Sequence, residues 1–83
     1  MARSFHYKIE STDDRAIART REFIVIARDE VEAREELETV FAMHEVIKSW
    51  RIAEVLAVQE LTSDDPFAKD YATMGAHSYY DRL

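Results

Sequence analysis

The sequence predicts a single α+β domain over residues 1–83, with a small, mainly antiparallel three-stranded sheet, a central helix packed across it and a short C-terminal helix. Three observations support this fold class. Two early stretches have the residue pattern of strands, the next repeats its apolar residues with the period of a helix, and a proline after cap-forming residues introduces the last helix. Most large aliphatic residues fall within residues 21–61, which contain neither Gly nor Pro, so we expect the other segments to pack around that stretch.

The first two strands are predicted at residues 4–10 and 21–28. In the first, Phe5, Tyr7 and Ile9 alternate with polar residues, so one face is buried, and its length suits an edge strand or a hairpin arm. The second contains three consecutive β-branched residues and is apolar on both faces, which is typical of a central strand.

The central helix is predicted over residues 30–47. Asp29 has the side chain of an N-cap, and Glu32, three residues later, completes a pattern like the capping box. The apolar residues of the segment form one stripe, made of Ala33, Leu37, Val40, Phe41 and His44.

Residues 50–61 fit two patterns. As a strand, Ile52, Leu56 and Val58 share one face, and Val55 then lies on the other. As a helix, Ile52, Val55 and Leu56 form a stripe. We favour the strand, because a helix here would leave a sheet of only two strands, with the doubly apolar second strand uncovered.

The last helix is predicted over residues 66–74. Pro66 occupies its first position, and Gly75, the only glycine, stands where a left-handed C-terminal cap is favoured. The polar and aromatic tail, residues 76–83, receives no predicted element. We expect the second face of the sheet to be covered by the last helix, the tail or another copy of the chain.

Composition narrows the class of protein further. There is no Cys, so disulfides and thiolate metal sites are excluded, and the core must come from packing, helped by a partner chain if the protein is a homodimer. No apolar run approaches the roughly 20 residues that span a bilayer, and the first residues lack the apolar block of a secretion signal. We therefore expect a cytoplasmic protein with no membrane partner.

Nothing in the sequence predicts catalysis. His6, His44 and His77 lie on three separate elements, and none has a metal-binding context. The adjacent carboxylate pairs point apart on regular elements, and no glycine-rich phosphate loop is present. We predict no enzyme, no catalytic residue, no metal and no cofactor.

Charge provides the main functional hypothesis. The net charge is −6, and it is uneven: residues 1–28 carry six basic and four acidic residues, and residues 29–83 carry five and thirteen. If the acids of the two helices lie on one side, they form a negative strip suited to a basic partner surface. The candidate contacts on this strip are Glu32, Glu35, Glu36, Asp64, Asp65 and Asp70. The candidate aromatic anchors are Trp50, Tyr71, Tyr79 and Tyr80. The simpler interpretation of the helix acids is a solvated face that keeps a small protein soluble.

Two other functions stay open. Arg15, Arg19 and Arg21 lie near aromatic residues and could contact nucleic acid in a small regulator, although the overall charge opposes binding to phosphates. The chain could also be an accessory subunit of a larger complex, docked through an exposed sheet face.

The segment FIVIARDEVEAREELE, followed by RIAEVLAVQEL, resembles small ββαβ proteins of phages and mobile elements, among them anti-CRISPR inhibitors. The matching positions are Phe23, Val25, Ala27, Asp29, Glu32, Ala33, Ile52, Glu54 and Val55. The resemblance covers about half of the chain and is one of fold, not of motif. It implies a non-enzymatic, phage-encoded inhibitor that acts in the host cytoplasm, binds a CRISPR effector complex or other nucleic-acid-handling machinery, and blocks DNA recognition.

Overall fold

The computed structural model describes residues 1–11, 20–43 and 50–80, with Tyr80 described by its backbone alone. The elements in chain order are β1 (Arg3–Ser11), β2 (Thr20–Ala27), α1 (Glu30–Met43), β3 (Trp50–Glu60), α2 (Pro66–Met74) and β4 (His77–Tyr80). The strands form one antiparallel sheet in the order β3-β1-β2-β4. The predicted α+β class is confirmed, and so is the strand at residues 50–61.

Three details of the structure differ from the prediction. The described residues form four strands instead of three, because residues 77–80 of the tail pair with β2 as β4. β1 is not an edge strand, since it pairs with both β2 and β3, whereas the alternative of a hairpin arm agrees with its antiparallel pairing with β2. The expected place of residues 50–61, beside residues 23–27, was wrong, because β1 lies between β3 and β2. The end of the predicted central helix, residues 44–47, lies outside the described residues.

The two faces of the sheet carry separate apolar clusters. On the first, β1 and β2 contribute alternate residues that pack against Ala33, Leu37 and Phe41 of α1. On the second, Ile26 of β2 packs with Leu61 and with residues of α2. Because neighbouring strand residues point to opposite faces, α1 and α2 cover opposite sides of the sheet. The expectation that the last helix covers part of the second face is confirmed.

Two irregularities in β3 decide which of its side chains share a face. Opposite His6 and Tyr7 of β1 the register moves from Ala57 to Val55, so Leu56 is an extra residue. A second shift, between Lys8 and Ile9 of β1, leaves Ala53 as another extra residue.

Each insertion of this kind, a β-bulge, reverses the alternation of the residues that follow it. Ile52, Val55 and Val58 therefore all lie opposite residues that point to the α1 face. The predicted grouping of Leu56 with Ile52 and Val58, and of Val55 on the other face, was wrong for this reason.

The helix ends carry the predicted cap residues, with two differences. Asp29 Oδ1 accepts the Glu32 N–H at 2.9 Å, and Asp65 Oδ1 accepts the Phe67 N–H at 2.9 Å. The Glu32 carboxylate accepts the N–H of Arg28, one residue before the N–H that a capping box uses. Gly75 ends α2 with the expected positive φ, 78°, but its ψ of −158° lies outside the left-handed helical conformation; its N–H donates to the Tyr71 carbonyl at 2.8 Å. Of the helices in the described ranges, neither has the length and apolar content needed to cross a bilayer.

Candidate interaction surfaces

The outward side of α1 is acidic. Glu30, Glu35 and Glu38 are exposed there, and we call these three residues the α1 acidic face. Arg34 forms an ion pair with Glu30, at 3.2 Å from Nη2 to Oε1. Within the described part of the chain, Glu35 and Glu38 have no ion-pair partner. Their carboxylates are therefore available to a cation on another molecule.

Glu32 belongs to a bridge between the two helices and is not free on the surface. Its Oε1 accepts the Tyr71 hydroxyl at 2.6 Å and the Arg28 N–H at 2.9 Å. These hydrogen bonds favour the charged form, so they lower the pKa of Glu32, with the Tyr71 bond as the largest cause. The same bond raises the pKa of Tyr71. Two predicted contact residues, Glu32 and Tyr71, are therefore hydrogen-bonded to each other.

Glu36 is in a different environment from its neighbours on α1. It is partly buried, and burial raises the pKa of its carboxyl group, while His77 acts in the opposite direction. Because its surroundings disfavour the charged form, Glu36 is a poor site for attracting a basic partner.

The predicted contact residues on α2 form a second, separate cluster. Asp65 is the N-cap of the helix, whereas Asp64 and Asp70 are exposed. Because α2 covers the face of the sheet opposite α1, the acids of the two helices do not make one continuous strip. Contact of any of these residues with a partner stays a prediction.

The aromatic residues proposed as anchors are mainly engaged in intramolecular packing. Trp50 stacks on Phe41 with ring centroids 4.3 Å apart. Tyr79 is 41% exposed and contacts the rings of Phe67 and His77, at 5.1 and 5.4 Å. Tyr80 is paired with Phe23 through the backbone of β4. Tyr79 is thus the most accessible of the proposed anchors whose side chains are described.

The arginine cluster cannot be assembled from the described residues. Arg21 lies on β2 opposite Ile9 and is partly exposed. Arg15 and Arg19 lie outside the described ranges. A nucleic-acid contact through these three arginines stays a prediction.

The sequence pattern did not identify which part of the sheet is exposed and apolar, namely the second half of β3. Val55, Leu56 and Val58 are 47%, 39% and 50% exposed, although they belong to an 11-residue strand. α1 lies over β2, and only Trp50 and Ile52, at the start of β3, pack against the core beneath α1. In the described ranges, no strand pairs with the outer side of β3. The only signal in the sequence was the spacing of three between Ile52, Val55 and Val58.

The described side chains that could ligate a metal ion do not gather in groups of three or more. His77 Nδ1 donates to the Gly75 carbonyl at 2.9 Å, and His6 lies 3.6 Å from the Glu22 carboxylate. The described residues form an α+β domain with two distinctive surfaces, the α1 acidic face and the exposed apolar half of β3, which contains Val55, Leu56 and Val58. Comparison with protein-family models, curated proteins and solved structures found no match.

Proposed function

We propose that the chain is a non-enzymatic protein-binding domain that presents the α1 acidic face to a basic surface of a nucleic-acid-handling complex. Blocking a surface that would otherwise contact phosphates makes such a domain an inhibitor of DNA recognition. The proposed partner, by resemblance to the anti-CRISPR proteins, is a CRISPR effector complex, and the proposed setting is the cytoplasm of a phage host.

The observation that carries this proposal is the exposure of Glu35 and Glu38 without an ion-pair partner among the described residues. Carboxylates in this state accelerate association with a basic surface and help to select it. The cap at Asp29 and the bridge from Glu32 to Tyr71 fix the start of α1 relative to the rest of the domain. The acids are therefore presented on a helix anchored at its N-terminal end.

The test reverses charge on α1 and compares an equal reversal on α2. The α1 variant is Glu35→Lys/Glu38→Lys, and the control is Asp64→Lys/Asp70→Lys, which changes the net charge by the same amount. Glu32 and Glu36 are left intact, because Glu32 is hydrogen-bonded to Tyr71 and Glu36 is partly buried, so that lysine at either position would also change stability. Binding to immobilised effector complexes is measured at low and at physiological salt.

We expect the α1 variant to associate about tenfold more slowly at low salt and the α2 control, with the same change of net charge, to be slowed less. Equal effects of the two variants would show that only net charge matters. No binding to any effector complex at low salt would overturn the choice of partner. Retention of a DNA or RNA probe by the protein alone would favour the arginine-based alternative instead.

A further inference from the structure

The outer side of β3 is an unusual edge for a small protein. It is 11 residues long, and each residue from 53 to 60 is exposed. An edge strand offers unpaired N–H and C=O groups, so a long edge with exposed apolar residues promotes association with another strand. Bulges twist an edge strand and oppose such pairing, so a partner strand must carry the same twist as β3. The residue pattern of β3 indicates which strand can pair with this edge.

The residues that β3 places on the α1 face are spaced symmetrically, so β3 can pair with an antiparallel copy of itself. The residues of β3 that lie on the α1 face are Trp50, Ile52, Val55, Val58 and Glu60. These positions are symmetric about Val55, with spacings of three and then two on each side. The symmetry exists only because one extra residue, Ala53 or Leu56, stands on each side of Val55. The two bulges thus gather the apolar residues on one face instead of dispersing them.

We propose that two copies of the chain associate through β3, antiparallel and about a two-fold axis at Val55, to form a continuous eight-stranded sheet. In this register Val55 lies opposite Val55 of the partner subunit, and Ile52 lies opposite Val58 of the partner subunit. Apolar and β-branched cross-strand pairs of this kind stabilise antiparallel sheets. An isologous contact of this type also closes on itself, so it gives a dimer and not a fibre.

The charges of the edge are compatible with this pairing. Arg51 is paired with Glu10 of its own chain at 2.9 Å, and Glu60 with Arg3 at 3.3 Å. The charges near the ends of the edge, Arg51 and Glu60, are therefore already compensated within the subunit. Glu54, next to the axis, points to the face opposite Val55 and has Lys8 as its neighbour on β1.

The dimer also changes what the domain presents to a partner. An axis normal to the sheet keeps both copies of α1 on the same side, so two α1 acidic faces would stand on one surface. The pairing of β3 does not require any third molecule, so it can occur whether or not the α1 acidic face binds a partner.

Single cysteines provide the direct test, since the chain has none of its own. Directly opposed residues of antiparallel strands have Cα atoms about 4.5–5.5 Å apart, within the range that a disulfide can bridge. Under mild oxidation, we expect Val55→Cys to give a disulfide-linked dimer. We expect an equal mixture of Ile52→Cys and Val58→Cys, one of them tagged, to give the mixed dimer in preference to either homodimer. The control is Ile24→Cys, which is 39% exposed on β2 and should stay monomeric on a non-reducing gel.

Sedimentation of the unmodified chain provides the independent measurement. We expect a dimer in the micromolar range and a shift towards monomer in Val55→Lys, whose folding is checked by circular dichroism. A species of 9.7 kDa alone at every concentration would overturn the proposal. A dimer that crosslinks through Ile24→Cys, or through Ile52→Cys alone, but not through Val55→Cys would overturn the proposed register.

Discussion

The surroundings of the α1 carboxyl groups shift their pKa values in different directions. Hydrogen bonds from Tyr71 and from the Arg28 N–H lower the pKa of Glu32, whereas burial raises the pKa of Glu36. Glu35 lies on the exposed side of the same helix. For these two residues of one acidic segment, the pKa shifts therefore predict opposite pH dependences of stability.

Glu36 is predicted to reduce stability at neutral pH. A carboxyl group whose pKa is raised by folding binds its proton more tightly in the native state, so stability falls as the pH rises through the native pKa. Glu36→Gln should thus raise the free energy of unfolding at pH 7, and the gain should disappear below the unfolded pKa of about 4.3. Urea unfolding at both pH values measures this. Glu35→Gln, which removes the same charge at an exposed site, is the control, and a destabilised Glu36→Gln at pH 7 would contradict the assignment.

The bond between Glu32 and Tyr71 is predicted to stabilise the fold with the opposite pH dependence. Glu32→Ala and Tyr71→Phe should each lower the free energy of unfolding by about 1 kcal/mol at pH 7, and the double variant should lose little more than either single one. Because folding lowers the pKa of Glu32, its contribution is present above the unfolded pKa and is lost as the pH falls through the native pKa. Urea unfolding of the four proteins between neutral and acidic pH completes the cycle. Strictly additive losses would show that the two side chains do not interact.

At the scale of the elements, Gly75 determines how α2 turns into β4. Its φ of 78° and ψ of −158° lie in a region that is almost restricted to glycine. Gly75→Ala should therefore destabilise the protein by about 1–3 kcal/mol, although nothing lies within 4 Å of the added Cβ atom. Thermal unfolding measures the loss, with Met74→Ala, at a neighbouring exposed position, as the control. A Gly75→Ala protein as stable as the original would mean that the backbone relaxes at this site.

β3 shows why periodicity alone gave two interpretations of residues 50–61. The spacing of three between Ile52, Val55 and Val58 resembles a helix, yet these residues share one face of a strand because of the bulges at Ala53 and Leu56. The insertion of one residue into a strand produces that spacing without any helix. The pairing with β1 reveals this, and the pairing is a long-range contact.

At the scale of the whole molecule, the two helices are too few to cover the sheet. A helix with its side chains is about 10–12 Å wide, whereas strands lie about 4.8 Å apart, so one helix covers roughly two strands of a face. α1 lies over β2, and α2 packs on the opposite side of the same strand. The described helices consequently leave the exposed apolar half of β3 uncovered.

The sequence by itself determined the elements that depend on short-range interactions. The strand at β2, the cap at Asp29 and the bounds of α2 follow from residues a few positions apart, and the structure has them where the sequence predicts them. The existence of β4 was not predictable in this way, because a four-residue strand is stabilised by its pairing with β2 and not by its own pattern.

Only the tertiary structure decided the strand order, the bulges and the division of the acids into structural and exposed ones. Glu32 and Glu35 stand three residues apart in one acidic segment, and the spacing of Glu32 from Asp29 predicts a cap contact but not its bond with Tyr71. The difference arises because the hydroxyl of Tyr71, 39 residues away, donates a hydrogen bond to Glu32. Contacts between residues so distant in the chain form only when the chain folds, so local pattern and spacing do not reveal them.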